Sequence, residues 1–63
     1  MEHVCKVRNI RNELIFTGSF DECSAFCTEN FSDDWRDTAF IVHDGYTEFF
    51  VNEKYTAQIY CAY

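Results

Sequence analysis

The clearest periodic pattern of apolar and polar residues lies in the segment FDECSAFCTENF, which follows Ser19. At 100° per residue its apolar side chains fall within an arc of about 80°, with Phe26 at the border. These side chains are Phe20, Cys23, Cys27 and Phe31. Ser19 and Glu22 fit a capping box, in which each side chain accepts a backbone N–H from the other residue. The pattern therefore predicts a capped amphipathic helix over residues 19–31.

Short β-prone runs occupy most of the remaining chain. Residues 4–8 and 14–17 flank a polar turn and predict a first hairpin. Residues 38–43 and 46–52 flank the dipeptide Asp44-Gly45, which is typical of a two-residue type I′ turn. They predict a second hairpin, whose register follows from the length of that turn.

The second hairpin should have one strongly apolar face. A two-residue turn gives that face the pairs Phe40–Phe49, Val42–Thr47 and Thr38–Val51. The other face receives Ala39–Phe50, Ile41–Glu48 and His43–Tyr46. We expect the first face to be the core, because it contains fewer polar residues.

A final strand is predicted from the clean alternation of residues 55–63. A two-residue loop before it would place Gln58 beside Phe49 in the core. A three-residue loop over residues 52–54 places Ala57 there instead. Because a slip of one residue moves every side chain to the opposite face, the apolar pattern favours the three-residue loop.

The predicted element order is β-β-α-β-β-β. Short turns imply an antiparallel sheet with the amphipathic helix packed across one face, an α+β fold in a single compact domain over residues 1–63. The other face lacks a second layer, so we expect its apolar side chains to bind a partner or form a homodimer. Those side chains are Ile41, Tyr46, Phe50 and Tyr60.

The composition is that of a small globular protein. The chain has 63 residues, of which 48% are hydrophobic and 19% aromatic. A domain of this size buries only about 60% of the surface of its unfolded chain, so its stability is marginal. One helix and one small sheet cannot hide so many aromatic rings.

The net charge of −6 is unevenly placed along the chain. Three of the five positive charges lie in the first 12 residues, whereas ten of the 11 carboxylates follow from Glu13 onward. This distribution argues against direct binding to nucleic acid or to anionic membranes, which require positive patches. The first residues contain no apolar segment typical of a secretion signal, so we expect a cytoplasmic protein.

The four cysteines permit several interpretations. Cys23 and Cys27 are four residues apart on the helix, where their Cβ atoms are too distant for a disulfide. In a cytoplasmic protein we expect reduced thiols that pack in the core. A zinc site of four thiolates, or two disulfides in a secreted domain, are the alternatives. The zinc alternative would use Cys5, Cys23, Cys27 and Cys61.

Carboxylates crowd the helix and the loop that follows it. They are Asp21, Glu22, Glu29, Asp33, Asp34 and Asp37. Their spacing does not match a calcium loop. They form either a solvated polar face or a negative docking surface that imitates the phosphates of nucleic acid. Trp35 lies among them and is either a binding hot spot or a lid on the core.

No catalytic constellation or cofactor signature is present, so we expect a non-enzymatic protein without cofactors. The first hypothesis is an acidic interaction module that inhibits or modulates a larger protein with a basic surface. In size and charge the chain is similar to virus- and phage-encoded proteins that disable host enzymes. The alternatives are a self-assembling structural or subunit domain that uses the exposed aromatic sheet face, and a small zinc-binding domain.

Overall fold

The computed structural model describes residues 4–62, which form a five-stranded antiparallel sheet with one helix across one face. The predicted α+β class and element order are confirmed. The predicted last strand also included Tyr63, which lies outside the described residues. A short 3-10 helix replaces part of the loop expected before the third strand. The elements are β1 (Val4–Asn9), β2 (Leu14–Gly18), α1 (Phe20–Phe31), the 3-10 helix (Trp35–Asp37), β3 (Thr38–Val42), β4 (Tyr46–Val51) and β5 (Lys54–Ala62).

The order of strands across the sheet is β2-β1-β5-β4-β3. The last strand, β5, therefore lies in the centre and joins the two hairpins. Strands β2 and β3 form the two edges. In the part of the chain that the structure describes, no helix is long and apolar enough to cross a membrane.

The register of the β3–β4 hairpin is the predicted one, with Phe40 opposite Phe49 and Ile41 opposite Glu48. The predicted type I′ turn is wrong, however. Gly45 has a φ of 90°, but Asp44 is not at positive φ, as a type I′ turn requires. The hairpin is held at this end by the His43 N–H, which donates to the Tyr46 carbonyl at 2.8 Å.

The turn between β4 and β5 also differs from the prediction. Asn52 and Glu53 have φ values of 52° and 67°, so the primed two-residue turn lies here. The expected partners Phe49 and Ala57 are nevertheless opposite each other. A bulge in β5 supplies the extra residue, which preserves the apolar pattern without a three-residue loop.

The core lies between α1 and the strands β1, β2 and β5, on which the helix packs. The predicted capping box is present, with Ser19 as the cap. Cys23 and Cys27 are fully buried, as the helical pattern predicts, whereas Phe20 at the start of the helix is exposed. The buried apolar residues are Cys5, Val7, Cys23, Cys27, Phe49, Ala57 and Ile59.

The helix leaves strand β3 uncovered. Phe40 and Val42 were expected in the core, but their exposed fractions are 37% and 74%. The expectation fails because the centre of the sheet is β5, so the helix lies on the opposite half from β3. An open groove between the start of α1 and the β3–β4 hairpin results. It is lined by Phe20, Val42, His43, Gly45, Tyr46, Thr47 and Cys61.

Two cysteines are joined, in contrast to the expectation of four reduced thiols. Cys5 and Cys61 are direct partners on β1 and β5, and their sulfurs form a disulfide. Cys23 and Cys27 remain free and buried. The reason is topological: pairing the first strand with the last brings two distant cysteines face to face. Disulfides are typical of oxidising compartments, and the expected cytoplasmic location stays a prediction.

Candidate functional site

The predicted acidic residues lie partly on helix α1 and partly in the segment that follows it. Asp21 and Glu22 are exposed in the first turn of α1. Glu29 lies two turns later, about 10 Å along the helix axis at 1.5 Å per residue. Asp33 and Asp37 are exposed beyond the end of the helix. The exposed carboxylates are therefore spread over the helix and the segment that follows it instead of forming one compact cluster.

Glu22 has a structural role at the start of the helix. Its Oε1 accepts the backbone N–H of Ser19 at 2.9 Å, and the Ser19 Oγ accepts the Glu22 N–H at 3.2 Å. These hydrogen bonds to Ser19 lower the pKa of the Glu22 carboxyl. Glu22 thus keeps its charge but is committed to the cap, which makes it a poorer anchor for a partner than Glu29.

Asp34 also serves the local structure. Its carboxylate accepts the Arg36 backbone N–H at 3.0 Å and the Arg36 guanidinium at 2.8 Å. The side-chain hydrogen bonds from Arg36, followed by the backbone one, lower the pKa of Asp34. Because Arg36 offsets this charge, Asp33 and Asp37 are the carboxylates of this segment that remain free to attract a basic partner.

The segment around Trp35 is braced by further hydrogen bonds. The Thr38 Oγ1 donates to the Trp35 carbonyl at 2.6 Å, and the Ser32 Oγ donates to the Asp34 carbonyl at 2.7 Å. The Asn52 N–H donates to the Asp37 carbonyl at 2.9 Å, which ties the segment to the β4–β5 turn. The backbone that carries Trp35 is therefore braced by hydrogen bonds within the fold.

The Trp35 side chain itself is 72% exposed. The interpretation of Trp35 as a lid on the core is therefore wrong. Its ring stands on the braced 3-10 helix, with the exposed carboxylates Asp33 and Asp37 on either side in sequence. We call these three residues the Trp35 surface. A large apolar ring displayed between negative charges combines the two properties of a docking site that the sequence predicted separately.

The sheet face opposite the helix carries the predicted aromatic residues. Tyr46 and Tyr60 are direct partners on β4 and β5, and Tyr60 is exposed. Phe50 is half-buried and Ile41 exposed on the same face. Glu48 lies among them and is bound by the His43 ring. This outer face is thus a mixed surface with a carboxylate near its centre.

Tyr55 is a member of the outer face that the sequence pattern missed. Strict alternation placed it with Ala57 on the core side, but the bulge in β5 puts it opposite Phe50. The two ring centroids are 5.8 Å apart in an edge-to-face arrangement. Burial, and secondarily the charge of Glu48, raise the pKa of the Tyr55 hydroxyl. The position of Tyr55 follows from the two-residue turn at Asn52-Glu53. The positive φ values of that turn cannot be read from the residue types.

The free cysteines do not form a reactive or metal-binding site. Burial, followed by the neighbouring Cys23 thiol, raises the pKa of Cys27 to about 12, and burial also raises that of Cys23. A thiol with such a pKa is a poor nucleophile and a poor metal ligand at neutral pH. Across residues 4–62, no group of three or more potential metal-ligating side chains converges. The four cysteines are therefore not assembled as the zinc alternative requires.

No family model, curated protein or solved structure matches the chain. Its surfaces are therefore the basis for assigning a function. Two surfaces stand out: the Trp35 surface on one flank and the exposed strand β3 next to it.

Proposed function

We propose that this chain is a small acidic protein–protein interaction module, without enzymatic activity, that inhibits or modulates a larger protein. The observation that carries the proposal is the exposure of Trp35 on a braced backbone between Asp33 and Asp37. Tryptophan is enriched among the residues that dominate binding energy at interfaces. The ring has no role in the core that would otherwise account for it.

The geometry favours a partner with an apolar pocket and a basic rim. A backbone that is already ordered loses little conformational entropy on binding, so more of the contact energy becomes affinity. Lysine or arginine side chains around the pocket would pair with Asp33 and Asp37. The net charge of −6 would also accelerate encounter with such a surface and make the rate dependent on salt.

The exposed carboxylates suggest a more specific partner class. Glu29, Asp33 and Asp37 are exposed and follow one another in sequence from the helix to the Trp35 surface. Carboxylates spread over a rigid surface imitate the charge of a phosphate backbone. We propose a nucleic-acid-binding cleft as the site on the partner, in keeping with the similarity in size and charge to viral inhibitors of host enzymes.

Affinity capture from cell lysate, with identification of the bound protein by mass spectrometry, tests the proposal. A partner retained by the native chain should be lost with Trp35→Ala. Retention should also weaken as salt rises and with the double variant Asp33→Lys/Asp37→Lys. Competition between the chain and a nucleic acid for the purified partner then tests the proposed cleft.

A matched charge reversal is available elsewhere on the surface. Glu13→Lys/Asp44→Lys changes the net charge by the same amount. Both residues are exposed, Glu13 in the β1–β2 turn near the other edge of the sheet and Asp44 beyond the far end of β3. This double variant should retain the partner far better than Asp33→Lys/Asp37→Lys. Equal loss of the partner with both double variants would mean that only the net charge of the chain matters for binding. Full retention by Trp35→Ala would exclude the Trp35 surface as the binding site.

A self-assembling role is the second candidate function. The observation that favours it is the unpaired and apolar edge of β3, which is independent of the Trp35 surface.

A further inference from the structure

The two edges of the sheet differ in their protection against pairing with another strand. In β2, residues Phe16 and Leu14 oppose consecutive residues of β1, so Ile15 is an extra residue that forms a bulge. Bulges, charges and prolines are the usual means by which proteins block an edge strand. Strand β3, with the sequence TAFIV, contains no charge and no proline, and its pairing with β4 is regular.

Both faces of β3 are also uncovered. Phe40 and Val42 point to the helix side but are not covered by the helix, and Ile41 on the other side is 47% exposed. Strand β3 is regular, exposed and apolar on both faces. It therefore has the properties of an edge strand that can form backbone hydrogen bonds with a strand of another chain. The outer face of the sheet is less suited to this role, because Glu48 lies within it.

The hydrogen-bonding groups on the free side of β3 can be assigned. The His43 N–H donates to Tyr46, and the Asp37 carbonyl accepts from Asn52, so both residues form bonded pairs with β4. Bonded and non-bonded pairs alternate in an antiparallel ladder. Ala39 and Ile41 are therefore also bonded to β4. The N–H and C=O groups of Phe40 and Val42, and the C=O of Thr38, point away from the sheet.

We propose that β3 pairs antiparallel with β3 of a second copy of this chain, with Phe40 opposite Phe40 at the two-fold axis. In this register the two Phe40 residues exchange both backbone hydrogen bonds. Each Val42 N–H donates to the Thr38 carbonyl of the other copy. The Thr38 N–H already donates to the Trp35 carbonyl, so this pair makes one of its two possible hydrogen bonds and the Val42 carbonyl remains exposed to solvent. The two sheets join into one continuous sheet of ten strands.

The charged residues beyond the ends of β3 agree with this register. Arg36 lies two residues before the strand and Asp44 two residues after it. Pairing about Phe40 brings Arg36 of each copy, whose side chain is 73% exposed, towards Asp44 of the other. Opposite charges thus meet at both ends, whereas a parallel pairing would bring like residues together. This self-complementarity favours a second copy over an unrelated strand.

The pairing places the exposed apolar side chains of β3 beside one another. Phe40 would meet Phe40, and Ile41 would meet Ala39, in cross-strand contacts that stabilise sheets. A single strand of five residues gives a small interface, so the dimer should be weak and dependent on concentration. Trp35 and Asp33 would lie beyond the ends of the paired strands, whereas Asp37 of each copy would come opposite His43 of the other.

Amide hydrogen exchange on the native chain, measured by NMR at low and high concentration, tests the proposal directly. The N–H groups of Phe40 and Val42 should exchange at least about ten-fold more slowly when sedimentation shows a dimer. Those of Ala39 and Ile41, already bonded to β4, should change little and serve as internal controls. A chain that stays monomeric up to about 2 mM, or a dimer that leaves Phe40 and Val42 unprotected, would overturn the proposal.

Val42→Pro removes one outward N–H from an exposed position and leaves the bonds to β4 in place. It should weaken dimerisation at least about ten-fold, whereas Val42→Thr, which keeps the N–H, should dimerise like the native chain. Asp44→Lys should also weaken the dimer, and addition of Arg36→Glu should restore it. Equal dimerisation of Val42→Pro and the native chain, or no rescue by the second substitution, would contradict this register.

Discussion

Cys5 and Cys61 lie directly opposite each other on β1 and β5, and their disulfide closes a loop that spans a sequence separation of 56. A loop of this length removes much conformational entropy from the unfolded chain. The chain-entropy relation gives about 4 kcal/mol for this bridge. Reduction should therefore lower the free energy of unfolding by up to that amount, measured by denaturant titration with and without a reductant.

The double variant Cys5→Ala/Cys61→Ala is the control for this prediction. It should match the reduced native chain within about 1 kcal/mol, because it lacks the same cross-link. Addition of reductant should have no further effect on it. A native chain with the same denaturation midpoint in both conditions would show that the bridge does not form in solution.

This disulfide illustrates what local sequence patterns can and cannot predict. The capping box at Ser19 and the register of the β3–β4 hairpin depend on residues close in sequence, and both were predicted correctly. The pairing of β1 with β5 joins the two ends of the chain. No periodicity reports on which non-consecutive strands are neighbours, so the position of the helix on the sheet could not be predicted either.

The candidate site was predictable in part. The sequence identified Trp35 and the surrounding carboxylates but could not distinguish a core lid from an exposed ring, because exposure follows from tertiary packing. The exposure of β3 was missed for the same reason: Phe40 and Val42 are apolar and alternate correctly, yet the helix lies elsewhere. The bulge that moves Tyr55 to the outer face follows from a turn whose backbone the residue types did not indicate.

The turn at Asn52-Glu53 offers a stabilising substitution. Glu53 has a φ of 67°, a left-handed conformation that is unfavourable by roughly 1–2 kcal/mol for a residue with a side chain. Glu53→Gly relieves this strain and creates the Asn-Gly pair preferred in type I′ turns. We expect the free energy of unfolding to rise by about 1 kcal/mol, since glycine also loses more backbone entropy.

Glu53→Ala is the matched control, because it removes the same charge but keeps the Cβ atom. Thermal and denaturant unfolding of both variants should show a gain for Glu53→Gly and none of comparable size for Glu53→Ala. Equal gains would mean that the relief of negative charge, and not of backbone strain, is responsible.

The buried thiol of Cys27 makes the fold sensitive to alkaline pH. Its pKa is raised from 9.0 to about 12 by burial in the core. Above a pH of about 9 the thiol ionises in the unfolded chain but not in the folded one, so the free energy of unfolding falls by about 1.4 kcal/mol per pH unit. The stabilisation is fully present below that pH and is lost as the pH rises towards the folded pKa.

Denaturant titrations of the native chain and Cys27→Ala, from a pH of about 8 to about 11, measure this contribution. Other ionisable groups are common to both proteins and cancel in the difference. The native chain should lose stability more steeply than Cys27→Ala over this range. Parallel curves would show that the thiol titrates alike in the folded and unfolded chains.

Trp35 is the single tryptophan of the chain, so its fluorescence reports on the Trp35 surface alone. With 72% of the side chain exposed, it should be quenched readily by small solutes. Because Asp33 and Asp37 create a negative local potential, the cation caesium should reach the ring more often than the anion iodide. Added salt should reduce this preference, since the Debye length falls to about 3 Å at 1 M.

The double variant Asp33→Asn/Asp37→Asn is the control for this prediction. It should reduce the difference between the quenching efficiencies of caesium and iodide, after each is corrected for its intrinsic quenching of free tryptophan. With the same correction, iodide quenching at least as strong as that by caesium in the native chain would show that the carboxylates do not control the approach of charged groups to Trp35. It would remove the electrostatic basis for a basic partner.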